Sequence, residues 1–452
     1  MFFYIKKLIT LIFIAIFLNN CSNPLNYFDE KEEEILQGKR YDILTFEDKL
    51  EVDSESAQIS VVLGPIEKNS SWNQLGRTPN NSSGNLFLRE NLQPHWDARV
   101  GEGDDGYSIL FSNLVSEGGK VFSLDSEGII FSVDLATGQK LWKKKVVPKE
   151  ESINSNIDGG IALENGILIV STSYGEMIAL RAEDGSILWK VFLGIPAQGS
   201  PAIIENNIFQ MTVNNSLIVI DLENGNELWR YAGSYEPAIL NGASSPAVDD
   251  NIVVFPSNSG ELIAFNKNLG SIVWTTELST IGSGSIDKDL NDIDSGPVID
   301  NNLIFAGTVR GRFGALDYQT GLVIWDIPLK TTHNPVISGN SLFVLSEDDV
   351  LVNIVRDTGG VRWMKDLKKA NEFEESSLFS SFKSDKTRCN GPILAANKLW
   401  ISCLDGSIYS IDVNDGSIAN IFKISSPIIF SPIVVEGVIM FYTKNARIYA
   451  YR

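Results

Sequence analysis

The side chains best equipped for chemistry are few in this 452-residue chain, and they are scattered. Its two histidines, His95 and His333, stand more than two hundred residues apart, so neither a His-based zinc site nor a Ser-His-Asp arrangement has its parts within local reach. Three cysteines, Cys21, Cys389 and Cys403, include no adjacent pair. Carboxylates abound, with 57 Asp plus Glu against 37 Lys plus Arg and a net charge of -20, which removes the electrostatic basis for nucleic-acid binding. Three placements remain informative: Cys21 at the end of an apolar run, the pair Cys389 and Cys403 about a turn, and Leu240, Asn241, Asp292 and Asp294 in two loops. Their chemistries are lipid attachment, disulfide formation and protein recognition. No catalytic residue, cofactor site or metal site is assigned, and an enzyme is not expected.

The elements that position these residues begin with an address. Lys6 and Lys7 precede an apolar run over 8–18, too short to span a bilayer but sized for a secretory signal, so 1–20 is expected to be a lipoprotein signal peptide. Leu18-Asn19-Asn20-Cys21 resembles a bacterial lipobox, although Asn20 stands where Gly, Ala or Ser is usual. The resemblance implies acylation of Cys21, and Ser22 after it implies onward export to the outer membrane, where the chains anchor the protein facing the periplasm. Residues 21–70 are polar and acidic, with Asp29 through Glu34 as an example, and read as a tether with little packed structure. Two apolar stretches within it, 41–46 and 59–63, are expected to add edge strands or to dock on the main body.

The rest, 71–452, is dominated by a repeat. The ending Asp134 through Gly138 to Trp142 recurs at Arg181 to Trp189, Asp221 to Trp229, Asn266 to Trp274 and Asp317 to Trp325; Gly359 with Trp363 keeps the offset, and Asp412 through Gly416 puts Asn420 where Trp is expected. Successive glycines lie 38 to 57 residues apart, the range of four-stranded propeller blades. In each copy the turn Asp is expected to accept backbone N–H groups, the Gly to take a positive φ, and the Trp to bury against the next blade as a structural residue. The last three strands, after Pro427, lack a Gly-turn-Trp ending, whereas Trp96 lies one repeat length before Trp142 with no complete blade ahead of it. Joining that N-terminal strand to the C-terminal strands predicts an all-β, eight-bladed propeller of four-stranded blades, its ring closed to remove open edges.

The repeated ending resembles that of quinoprotein-type propellers, and together with the lipobox it is similar to the BamB family of the outer-membrane β-barrel assembly machinery. The resemblance implies a non-enzymatic scaffold that binds the POTRA region of BamA, within the assembly complex, and assists unfolded outer-membrane protein clients. Leu240 through Pro246, entering blade 4, matches a Leu-Arg-Gly-x-Ser-x-Pro segment that the family presents to its partner, with Asn241 in place of Arg. Asp292-Ile293-Asp294, entering blade 5, matches the family's paired aspartates. Two rival readings stand beside it: a propeller binding glycan or another envelope ligand, and a quinone-dependent dehydrogenase, which needs the adjacent cysteines and long inter-blade insertions absent here.

Cys389 and Cys403 flank the turn at 395–398 almost symmetrically, which permits a disulfide if the Cα separation is about 4.4–6.8 Å; two buried thiols are the alternative. The polar insertion 365–388 reads either as a rim loop or as a partner contact.

Overall fold

A computed structural model describes residues 49–104, 109–110, 112–147, 159–233, 245–278, 293, 295–308, 311–368 and 388–452. Among these, eight four-stranded antiparallel sheets follow one another in chain order, with blades 1 to 7 spanning 115–145, 159–192, 202–232, 247–277, 298–327, 336–366 and 389–423. Blade 8 combines 433–451 with the N-terminal strand Pro94–Arg99, which pairs antiparallel to Arg447–Tyr451 with Trp96 opposite Ala450. The expected ring closure is therefore what the chain does. Gln93 and Arg452 exchange backbone hydrogen bonds of 2.9 and 3.0 Å and extend the pairing.

Each blade is apolar inside and alternating outside. Strand Ile167–Thr172 of blade 2 is buried after its first residue, because both of its faces are covered, whereas outer strand Ile187–Phe192 alternates exposed and half-buried positions. The apolar clusters do not belong to single blades. One joins Ala162, Ile169 and Leu193 of blade 2 and its exit to Ile203, Ile208 and Ile218 of blade 3, so the core is a sequence of shared interfaces.

The repeated ending explains how neighbours lock. In blade 1 the Asp134 carboxylate accepts from Thr137 N and Oγ1 at 2.8 and 2.7 Å, and Gly138 turns back with φ 71°. A Cβ on Gly138 would sit 2.6 Å from Trp96 Cε3, so the indole of the preceding blade lies on the bare glycine. Trp142, Trp189, Trp229, Trp274, Trp325 and Trp363 lie in the same way on Gly185, Gly225, Gly270, Gly321, Gly359 and Gly416. Each of the seven indole N–H groups donates to a backbone carbonyl of the next blade at 2.8–3.1 Å, as Trp96 does to Leu135 O and Trp363 to Val413 O.

Residues 49–70, expected as the end of a loosely packed tether with 59–63 adding an edge strand or docking on the main body, lie against the propeller. Asp53 N donates to Val361 O, and Val62 N donates to Asn340 Oδ1. Beyond them, residues 64–86 cross the hub and touch the innermost strand of every blade. Trp72 and Ser116 exchange backbone bonds in blade 1, Asn73 O accepts from Leu163 N in blade 2, and Gln74 Oε1 accepts from Ile203 N in blade 3. Pro79 O accepts from Val248 N in blade 4, Asn80 O from Ile299 N in blade 5, and Gly64 N donates to Ser338 Oγ in blade 6. Leu86 N donates to Leu394 O in blade 7, and Asn69 Nδ2 to Val434 O in blade 8. The polar composition misled because this segment is held by main-chain and amide hydrogen bonds, which leave no hydrophobic period in the sequence.

Candidate functional site

The two loops expected to carry recognition are bracketed by described strands in the same way. Outer strand Glu227–Ala232 of blade 3 leads to first strand Ala247–Val248 of blade 4, and outer strand Ile272–Glu277 of blade 4 leads to first strand Val298–Asp300 of blade 5. Each loop thus joins the outer strand of one blade to the first strand of the next, at two successive blade junctions. Leu240, Asn241, Asp292 and Asp294 lie outside the described residues, as do Cys21, the signal region and 369–387 of the polar insertion.

The described feet of the loops are firmly held. The Asn81 side-chain amide, reaching from the hub segment, donates to Pro297 O at 2.9 Å and to Ser245 O at 3.3 Å, so one residue ties both loop ends together. Buried Ser295 accepts from Gly307 N through Oγ at 2.9 Å, and Gly296 N donates to Asn334 Oδ1 at 2.9 Å. Ile293, between the two aspartates, is 4% exposed in a cluster with Trp274, Leu278 and Ile304. In sequence, the two aspartates flank this buried residue.

Cys389 and Cys403 face one another across the first hairpin of blade 7 and are bonded, with sulfurs 1.99 Å apart and Cα atoms at 3.9 Å. That separation is shorter than the expected window. Leu404 N donates to Arg388 O, so the neighbouring pair holds the hydrogen bond and the cysteines occupy the narrow, non-bonded position of the ladder. The Cys389 N–H goes instead to Asp349 Oδ1 of blade 6 at 2.8 Å.

Burial strongly perturbs several titratable groups, among them His333 and Asp125. His333 is lowered to about 4 by desolvation, so its imidazole is neutral at pH 7. Asp125 is raised to about 6 by desolvation, which outweighs the backbone N–H groups of Ile129, Glu102 and Glu127 that it accepts. His95 is exposed on the closing strand. Among the described residues no three His, Cys, Asp or Glu side chains gather as metal ligands, and no helix is long and apolar enough to cross a membrane.

Comparisons with known proteins agree with this geometry. The family described as outer membrane protein assembly factor BamB matches residues 126–365, the stretch running from blade 1 into blade 6. The chain is similar to the outer membrane protein assembly factor BamB of Yersinia pestis, 23% identical over 364 residues that cover 79% of this chain and 88% of that one. Similarity to the Escherichia coli protein of the same description is 22% over 361 residues, covering 78% and 87%. Among solved structures, BamB from Moraxella catarrhalis superposes with TM-score 0.66 at 17% identity, over 80% of this chain and all of that one. Quinohemoprotein alcohol dehydrogenase from Comamonas testosteroni superposes with TM-score 0.62 at 11% identity, over 84% and 80%, a likeness of fold.

Proposed function

The chain belongs to the family of outer membrane protein assembly factor BamB, and from that premise we propose that it is a non-enzymatic scaffold of outer-membrane protein assembly. The observation that carries the reading is the family match across the repeats, together with a ring whose repeated Gly and Trp positions are occupied by packing residues. The partner is the POTRA region of BamA, met by Leu240 as an apolar contact and by Asp292 and Asp294 as carboxylates, with Asn241 supplying an amide. The clients are unfolded outer-membrane proteins. Acylated Cys21 anchors the protein at the periplasmic face of the outer membrane after removal of 1–20.

No bond is made or broken in this function, so its selectivity lies in shape and charge at the rim. Replacing Leu240, Asp292 and Asp294 together with Ala abolishes co-purification with BamA while the melting temperature and acylation stay as in the parent. Undiminished co-purification would remove these loops from the interface. A dye-linked dehydrogenase activity on addition of quinone and calcium would instead favour the redox reading that the shared propeller fold keeps in view.

A further inference from the structure

The eighth blade junction is built differently from the other seven. Asn420 occupies the tryptophan position of blade 7 and is exposed. It faces blade 8, whose third and fourth strands come from opposite ends of the described chain, so no Asp-x-x-x-Gly turn joins them there. A cleft of about 600 Å³ opens at this seam. Its apolar walls are Trp400, Phe422 and Tyr451, and Asn420 lies on the lining. Three cations, Arg89, Lys398 and Lys423, border it with one carboxylate, Glu90, in a protein whose net charge is -20. Lys423 is also paired with Asp405 at 3.2 Å.

These features define an occupant. At seven junctions the same inter-blade position receives an indole; at this one no turn glycine underlies it, and the position stays open between aromatic walls. The cleft is within the usual size range of a ligand pocket, larger than one ring needs, and it keeps aromatic walls. Its excess of cations selects for negative charge beside that ring. We propose that the seam between blades 7 and 8 binds a polypeptide segment of a partner protein through an aromatic side chain flanked by carboxylates. The ring enters the cleft and packs on the wall that Phe422 and Tyr451 form together, their centroids 5.0 Å apart, and the flanking acids meet Arg89 and Lys398. This site is separate from the loop rim of blades 4 and 5 and does not rest on the assembly reading.

The test is fluorescence anisotropy of labelled pentapeptides with the full chain in detergent. Ser-Asp-Trp-Asp-Ser binds at least about tenfold more tightly than Ser-Asp-Ala-Asp-Ser or Ser-Lys-Trp-Lys-Ser. Asn420→Trp, which fills the groove from within, weakens that binding by about tenfold or more, and Lys398→Glu weakens it severalfold. Equal affinity for the three peptides overturns the proposal. So does binding unchanged in Asn420→Trp or, should that variant fail to fold, unchanged in Lys398→Glu. The Leu240, Asp292 and Asp294 triple variant binds the acidic peptide like the parent, so loss of BamA co-purification and loss of peptide binding report on different sites.

Discussion

Between blades 3 and 4, Trp229 lies on Gly270 and donates to Lys267 O at 3.0 Å, whereas between blades 7 and 8 an exposed Asn420 stands over a cleft. The difference shows that the tryptophan and the glycine are one device. The indole needs a surface without a Cβ and a carbonyl aimed at its N–H, and both are supplied by the tight turn joining a blade's third and fourth strands. Blade 8 draws those strands from distant parts of the chain, so the turn is missing and a tryptophan opposite it would have no such surface. Other contacts hold that seam. Phe422 meets Tyr451 and Phe441 at ring-centroid distances of 5.0 and 6.1 Å, and Leu86 of the hub segment bonds Leu394 and Ala396 on both sides of its backbone.

The comparison breaks most visibly at a locked junction. Trp229→Ala lowers unfolding free energy by about 3–5 kcal/mol in urea titration, because it opens a cavity shared by two blades and frees Lys267 O. A loss under about 1 kcal/mol would show that the indole is not the lock. Within blade 7, the blade that ends in Asn420, Cys389→Ser with Cys403→Ser lowers stability by about 3 kcal/mol, the chain-entropy figure for a loop of this length. Its reading is the melting temperature with and without reductant, and a parent indifferent to reductant refutes it.

The smallest effect tests the seam on the far side of blade 8, where the Asp125 carboxylate of blade 1 accepts Glu102 N at 3.1 Å. Its folded-state pKa of about 6 exceeds the ordinary 3.8, so the folded protein retains a proton that the unfolded chain releases. That contribution is complete below about pH 4 and is lost as pH rises through 6. Relative to Asp125→Asn, the parent should gain about 1 kcal/mol of stability on going from pH 7 to pH 5. Parallel pH profiles of the two urea midpoints would place the carboxyl in an ordinary environment.

Blade number, strand order and ring closure were legible because each rests on a local signal that repeats: a turn acid, a positive-φ glycine and a tryptophan at fixed offsets. Trp96 carried the closure by standing one period early. The cysteine pairing was legible from its symmetry about the hairpin, but the close Cα approach was not, since it depends on which ladder position the pair occupies. The hub segment escaped because Asn69, Asn73, Gln74 and Asn81 are turn-forming residues in any local reading, and their partners lie in blades up to 365 residues away. Burial of Lys267 at 2% exposure is equally a product of the fold, its ammonium reaching Glu205 of blade 3 at 2.7 Å. Of the recognition loops, the sequence supplied the residues and the structure supplied their anchored feet.

The hub segment alters how the ring comes apart and comes together. In arrays whose modules touch only their neighbours, unfolding can begin at one module and spread. A stretch bonded to all eight inner strands couples blades that never meet, so loosening one weakens the hold on the others and favours a single concerted transition. It also sets an order of events: 64–86 is synthesised before every strand it bonds, yet its bond to Val434 must await a strand 365 residues further on, making it a late-closing latch that registers whether the circle is complete.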